Sequence, residues 1–282
     1  MVSRAVVITG ASTGIGATCA THLSRLGFRV FAGVRKIADG EALQKQAPEP
    51  LTPLILDVTE PATIAAAAAL VGRETGDGGM AGLVNNAGIV VAGPLEFMPL
   101  EELRKQIEVN TIGQLAVTQA FLSLIRQGHG RIVNIGSTSG FLSTPFLGAY
   151  CASKFAMEAI TGALRMELVP WGIGVSIVDP GNIATPIWQK SLAAADGLTS
   201  RLPAAAHELY GPGIRVAREA AQREAARSSP PELVARAVEH ALTARRPRPR
   251  YYVGRDASVQ SRLVRFLPDR MMDRLIMRHM GL

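Results

Sequence analysis

Apolar, β-branched runs recur along the chain at intervals that leave room for a helix between them. Arg4 to Thr9 is one such run, Phe28 to Val34 the next and Leu51 to Leu56 the third. Ala81 to Val84, Arg131 to Ile135 and Gly172 to Val178 continue the series, and Arg250 to Val253 reads as a last short strand. These runs are apolar throughout rather than alternating, the pattern of parallel strands covered on both faces. Helical periodicity fills the gaps, from Gly16 to Gly27, Pro61 to Gly72, Leu103 to Ile125, Tyr150 to Leu168 and Pro231 to Ala244. Pro61 stands where a helix starts and Gly27 where one ends. Six strand–helix alternations without an internal repeat predict an α/β fold: a single doubly wound parallel sheet with helices on both faces, in one domain over residues 1–282.

Two stretches fall outside the alternation. Pro186 to Ser229 mixes alanine-rich helical pieces with Gly197, Gly211-Pro212-Gly213 and Ser228-Ser229-Pro230-Pro231. It has no strand pattern and reads as helical pieces separated by those residues. Pro268 to Leu282, within an extension over 254–282, is amphipathic. Met271, Met272, Leu275, Ile276 and Met280 gather on one side, with Arg270, Asp273, Arg274 and Arg278 towards the other. Two readings stand for it: a helix that covers the substrate pocket or the subunit core, and a helix that lies on a membrane surface.

Composition narrows the class. The chain is 48% hydrophobic and 19% charged, which allows a large core and argues against disorder. No run approaches 18 uncharged apolar residues, so no transmembrane helix is expected. The chain enters a strand directly after Met1-Val2-Ser3-Arg4, without a signal-peptide pattern. Cys19 and Cys151 both fall in helical contexts, which fits a reducing cytoplasm and makes no metal site. The formal charge of +7 belongs to the tail, where residues 245–282 carry ten Arg against three Asp while the remainder is balanced. From Pro268 to Leu282 the arginines have no interleaved aromatic residues and make a poor stacking platform, so nucleic acid is not an expected partner.

Polar and glycine-rich motifs cluster where strands end. Thr9-Gly10-Ala11-Ser12-Thr13-Gly14-Ile15-Gly16 joins the first strand to the first helix. Such a turn aims backbone N–H groups and a helix N-terminus at a pyrophosphate. The second strand ends at Gly33-Val34-Arg35-Lys36, with no carboxylate to hold a ribose 2′-hydroxyl. An arginine there pairs with a 2′-phosphate, so the expected cofactor is NADP(H). Asp57-Val58, Asn85-Asn86-Ala87-Gly88, Ser137 and Pro180 to Thr185 lie at the ends of later strands, the edge where ligands of such sheets sit.

Tyr150 and Lys154 sit one helical turn apart on one face. A free tyrosine titrates near pH 10, and a nearby cation lowers that value. A shift of roughly three units needs about 4 kcal/mol, more than one lysine readily supplies, so a cationic cofactor would help.

Together these residues resemble the short-chain dehydrogenase/reductase family, whose fold is Rossmann-like. The likeness covers Arg4 to Thr185 and rests on TGASTGIG at Thr9–Gly16, NNAG at Asn85–Gly88, Asn110, Ser137, YCASK at Tyr150–Lys154 and PGNIAT at Pro180–Thr185. It implies that Tyr150 is the general acid/base, that Ser137 bonds the substrate oxygen (with Ser139 as its rival), and that Lys154 binds the nicotinamide ribose and lowers the Tyr150 pKa. It further implies that Asn110 anchors a relay water and that Thr185 holds the carboxamide. The cofactor set is then Gly10, Ser12, Thr13, Gly14, Ile15, Gly16, Arg35, Asp57, Val58, Asn86, Ala87, Gly88, Tyr150, Lys154, Pro180, Gly181, Ile183 and Thr185. A closer likeness to the retinol and 17β-hydroxysteroid dehydrogenase branch is carried by Phe31 to Arg35, Tyr150 to Glu158 and Arg250 to Gly254.

The resemblance implies hydride transfer between NADP(H) and an apolar alcohol or ketone, with residues 186–229 as a substrate lid and the subunits assembled as a homodimer or homotetramer. In it, serine and tyrosine hydroxyls converge on the carbonyl oxygen as negative charge develops there. A cofactor-binding regulatory protein of the same fold without turnover is the alternative. Peripheral membrane contact through the C-terminal helix is the other use of the tail.

Overall fold

Side chains along a strand point alternately to opposite faces, and in the first strand both faces are buried. Val6 and Ile8 enter one core cluster while Ala5 and Val7 enter another. That division runs through the whole molecule, for which a computed structural model describes residues 4–47 and 51–282. Among these, strands β1 (Ala5–Ile8), β2 (Arg29–Val34), β3 (Leu51–Ile55), β4 (Gly82–Asn85), β5 (Arg131–Ile135), β6 (Gly174–Pro180) and β7 (Arg250–Val253) form one sheet. Its order is β3-β2-β1-β4-β5-β6-β7, and each neighbouring pair is parallel. Pro53 falls in β3, at the sheet edge, where its missing N–H removes no bond from an interior ladder.

The helices are α1 (Gly14–Arg25), α2 (Ile37–Gln46), α3 (Pro61–Thr75), α4 (Leu100–Ile107), α5 (Gly113–Gln127), α6 (Gly148–Glu167), α7 (Ile187–Thr199), α8 (Ala204–Ala226), α9 (Glu232–Thr243), α10 (Arg255–Phe266) and α11 (Asp269–Met280). One face of the sheet is covered by α1 and α9, through Cys19, Ala20 and Leu23 and through Val234, Val238 and Ala241. The other is covered by α3 and α5, through Ile64, Ala67 and Val71 and through Val117, Phe121 and Ile125. The doubly wound sheet predicted from the sequence is the fold observed.

Three details depart from the sequence reading. The long helix expected over Leu103 to Ile125 begins at Leu100 and carries a π-helical turn, Glu108–Ile112, before α5. The Gly211-Pro212-Gly213 triplet does not separate two pieces, because α8 runs through it. Pro212 only forgoes its own N–H bond, and Gly213 leaves room for Phe146, whose Cζ lies 2.8 Å from where a Cβ would stand. In α11 the apolar side does not act as one face: Met272 and Met280 are buried while Met271 and Leu275 are exposed. Arg223 of α8 donates to the Met280 carbonyl at 3.3 Å, so the tail docks on α8.

The sheet order reverses at β1, which lies between β2 and β4. The chain therefore leaves β1 and β4 in opposite directions, opening a crevice beyond their carboxyl ends.

Phe121 is fully buried, whereas Phe266 on α10 is 76% exposed. Phe121→Ala is expected to lower unfolding free energy by about 3–5 kcal/mol, and Phe266→Ala by no more than about 0.5. Urea denaturation checks this, and equal effects of the two changes would contradict the assignment of the core.

Candidate active site

The turn after β1 is shaped by backbone that cannot carry side chains. Gly10 and Gly14 have φ of +62° and +59°, the left-handed region that favours glycine. A Cβ on Gly10 would lie 2.7 Å from Ala87 Cα, and one on Gly16 would lie 2.4 Å from the Gly10 carbonyl oxygen. At the start of α1, Thr13 makes no side-chain cap and no acidic residue stands in the first turn. The first N–H groups of the helix are thus free for an anion, and the cradle fits a dinucleotide pyrophosphate. Ser12 and Ile15 lie in the same turn. Lys190, from α7, reaches Thr13 Oγ1 at 3.3 Å and brings a positive charge to it. Nothing in the sequence around Lys190 marked it for this position.

The turn is fixed to the loop after β4. Thr9 Oγ1 accepts from the N–H groups of Asn86 and Ala87, both at 2.9 Å, and Asn86 Nδ2 donates to the carbonyls of Thr9 and Gly10. Gly88 follows at the crevice. Asn110, predicted as a functional residue within a helix, lies in the π turn and is buried. Its Oδ1 accepts from Ile89 N at 2.9 Å, while Nδ2 donates to Ile89 O and to Ser153 Oγ. These bonds make it a clamp between the β4 loop and α6. Gln106 does the same, accepting from Val91 N at 2.7 Å and donating to Ile89 O at 3.0 Å. Gln106 and Ser153 were missed, since neither stands in a recognisable pattern.

At the second and third strands, Arg35 and Lys36 are exposed just past β2, with no carboxylate beside them in the sequence. The Asp57 carboxylate, just past β3, accepts from Thr59 N and Thr59 Oγ1 at 3.0 and 2.8 Å, and Val58 beside it is buried. The Pro180–Thr185 loop leaves β6 and is held from outside by Asp256, whose Oδ2 accepts from Asn182 N at 2.6 Å. Gly181 is required there, because a Cβ would stand 2.1 Å from the same carboxylate. Thr185 faces the glycine turn, its Cβ 3.0 Å from the position a Gly14 Cβ would take. Ile183 is buried beneath the loop.

Tyr150 and Lys154 lie on α6, with Ser137 immediately past β5. Ser137 lies close enough to favour the ionised form of the phenol, and it is fixed by accepting from Ser139 N at 3.1 Å. The bond comes from the Ser139 backbone, which thereby supports Ser137. Lys154 is buried, its Nζ 5.9 Å from the Tyr150 ring centre and donating to the Ile135 carbonyl at 2.7 Å. The expected lowering of the Tyr150 pKa by Lys154 is not realised in the protein alone. Tyr150 is partly exposed, yet burial around its hydroxyl pushes the phenol up to about 12 against the opposing effect of Ser137. Burial also lowers the Lys154 ammonium to about 8, while Asp179 and Glu158 hold it up.

Tyr210 of α8 meets Phe97 and Phe146 edge-on, with ring centres 5.9 and 6.4 Å apart, and its hydroxyl donates to Glu96 at 2.6 Å. Trp188 donates its indole N–H to the Ile183 carbonyl at 2.9 Å and pins α7 down.

Comparison with known proteins agrees with this arrangement. A family profile described as short chain dehydrogenase matches residues 4–196. Retinol dehydrogenase 5 of Mus musculus is 37% identical over 277 residues, covering 96% of this chain and 87% of its own. The 17-beta-hydroxysteroid dehydrogenase type 6 of Bos taurus is 38% identical over 279 residues, 97% of this chain and 87% of its own. Among solved structures, a short chain dehydrogenase from Burkholderia cenocepacia in complex with NADP aligns with a TM-score of 0.73 at 26% identity, covering 97% and 98% of the two chains.

Gly16→Ala would drive a methyl group into the Gly10 carbonyl and Asn86 Nδ2. It is expected to weaken dinucleotide binding by about tenfold or more, roughly 1.4 kcal/mol. Isothermal titration reads this directly, and an unchanged Kd would remove the turn from the binding site.

Proposed function

This chain belongs to the short-chain dehydrogenase family, and on that footing we propose that it transfers a hydride between NADP(H) and an apolar alcohol or ketone of the steroid, retinoid or simple-ketone kind. Its class is that of oxidoreductases acting on alcohol and carbonyl groups. The observation that carries the finer reading is the meeting of Ser137, Tyr150 and Lys154 beside the crevice. When bound, the nicotinamide cofactor supplies or accepts the hydride. The protein's part is to hold the oxygen and move a proton. Ser137 and Tyr150 donate hydrogen bonds to the carbonyl oxygen, and Tyr150 releases its proton there as negative charge grows. In the reverse direction Tyr150 takes the alcohol proton. Lys154 places its positive charge next to the phenol. The amide of Asn110 is committed to Ile89 and Ser153, so its part in a relay falls to its backbone in the π turn.

Arg35 and Lys36 support NADP(H) over NAD(H), and the NADP complex of the Burkholderia cenocepacia relative is consistent with that preference. The aromatic group of Phe97, Phe146 and Tyr210 supports an apolar substrate under a lid of α7 and α8. The reading carries with it a homodimer or homotetramer and a cytoplasmic setting, the latter supported by two free, buried cysteines. Among the described residues no helix is long and apolar enough to cross a membrane. The exposed Met271, Leu275 and Met277 of α11 support a peripheral contact with a membrane surface as the second use of the tail.

Tyr150→Phe is expected to lower turnover of a ketone panel by about 10² to 10⁴ while NADPH still binds. Near-normal turnover in a folded variant would sink the acid/base role, and absence of turnover in the parent with every ketone would favour the regulatory alternative. For cofactor choice, Arg35→Ala should weaken NADPH about tenfold or more and leave NADH nearly unchanged. Equal losses for both nucleotides would show that Arg35 does not read the 2′-phosphate.

A further inference from the structure

Tyr150, Lys154 and Glu158 recur at four-residue intervals, so they line one face of α6. Glu158 is bonded by Arg250 of β7, whose other guanidinium nitrogen lies 3.4 Å from Asp179 Oδ2. Asp179 has no exposure to solvent, and its carboxyl group is in hydrogen-bonding contact with that of Glu158. Two ionised carboxylates cannot bond each other, since both only accept. In that form Glu158 Oε1 and both Asp179 oxygens have no hydrogen-bond partner. A single proton between the two groups removes the difficulty. The pair is closely packed on one side, where a Cβ on Gly136 would stand 2.0 Å from Asp179 Oδ1 and one on Gly140 would stand 3.1 Å from Glu158 Cγ.

The remaining groups around the pair are few. Helix α6 supplies Lys154, Tyr150 and Cys151, and β7 supplies Arg250 and Tyr252. Asp256 at the start of α10 is turned to Asn182 N, and the turn from Ile135 to Gly140 carries no charge. We propose that Asp179 and Glu158 share one proton in the resting enzyme and act as positioning residues that keep Lys154 charged. As pH rises, the shared proton passes to solvent, and the second negative charge then holds the lysine ammonium in place.

The electrostatics run the same way. Burial pushes Asp179 up to about 8 and raises Glu158 as well. Burial lowers Lys154 to about 8, and both carboxyl groups oppose that. The pair therefore gains its second charge in the range where Lys154 would lose its own.

The proposal rests on the reading of Tyr150 and Lys154 as the reacting pair. Asp179→Asn keeps the shape of the protonated acid and cannot ionise. Its kcat/KM loss should be confined to the alkaline side, with the basic limb about one pH unit lower, a loss of about tenfold at the alkaline end. Infrared titration of the parent should show a buried carboxylic-acid carbonyl band at neutral pH, lost as pH passes about 8 and absent from the variant. Equal loss at every pH, an unmoved limb, or no such band would overturn the proposal. If Asp179→Asn does not fold, the parent's infrared titration and the limb of Glu158→Gln decide by the same criteria. Failure of the Tyr150 reading would leave the band in place with no turnover to profile. Failure of the shared proton would leave turnover without the band.

Discussion

A lysine enclosed by a packed sheet must find partners for its ammonium or give up the proton. Lys154 meets this demand with the Ile135 carbonyl, the face of Tyr150 and the charge of Asp179 and Glu158. Ile135 comes from β5, Asp179 from β6, and Tyr150 and Glu158 from α6 itself, so the demand of one side chain ties these three elements together. It also dictates where side chains are forbidden. Gly136 and Gly140 are glycines because Asp179, Glu158 and the Lys154 carbonyl occupy the space a Cβ would need. Deeper in, Asn134 Nδ2 donates to Thr161 Oγ1 at 2.8 Å and Asn85 Nδ2 donates to Asn134 Oδ1 at 2.8 Å. These bonds set the height of α6 against the sheet and so the position of its tyrosine.

The same reasoning explains the polar residues around the β4 loop. A loop that leaves a parallel sheet has no ladder to satisfy its N–H and C=O groups. Here both backbone groups of Ile89 go to Asn110, and Val91 N goes to Gln106. The π turn brings Asn110 to the loop, and Gly113 after it allows approach to Val58, whose carbonyl oxygen would lie 2.5 Å from a Cβ. A helix defect at this point is therefore a consequence of where the loop must be held.

The parts legible in the sequence are those governed by local rules. Continuous apolar runs gave the strands, and the glycine turn after β1 needs left-handed backbone that only a few residues adopt. The Tyr150–Lys154 spacing is legible because a helix repeats every turn. What stayed hidden depends on contacts between distant segments. Asp256 and Lys190 reach the site from α10 and α7, and no local pattern distinguishes them from surface charges. Gly211-Pro212-Gly213 looked like a break because propensity counts each residue alone, whereas Phe146 packs into the space at Gly213. The pKa of Tyr150 follows the same rule: helical spacing shows a neighbouring cation but not the burial around the phenol, which pushes it up against the effect of Ser137.

That last reversal bears on direction. In the protein alone the phenol lies at about 12 and the ammonium at about 8, so Lys154 loses its proton before Tyr150 does. A site of this kind presents a protonated hydroxyl, the form that carbonyl reduction consumes. A phenolate at this position is disfavoured by burial and supported by Ser137. A cationic group bound beside the phenol would favour the phenolate. In the protein alone, burial therefore favours the protonated phenol at this position.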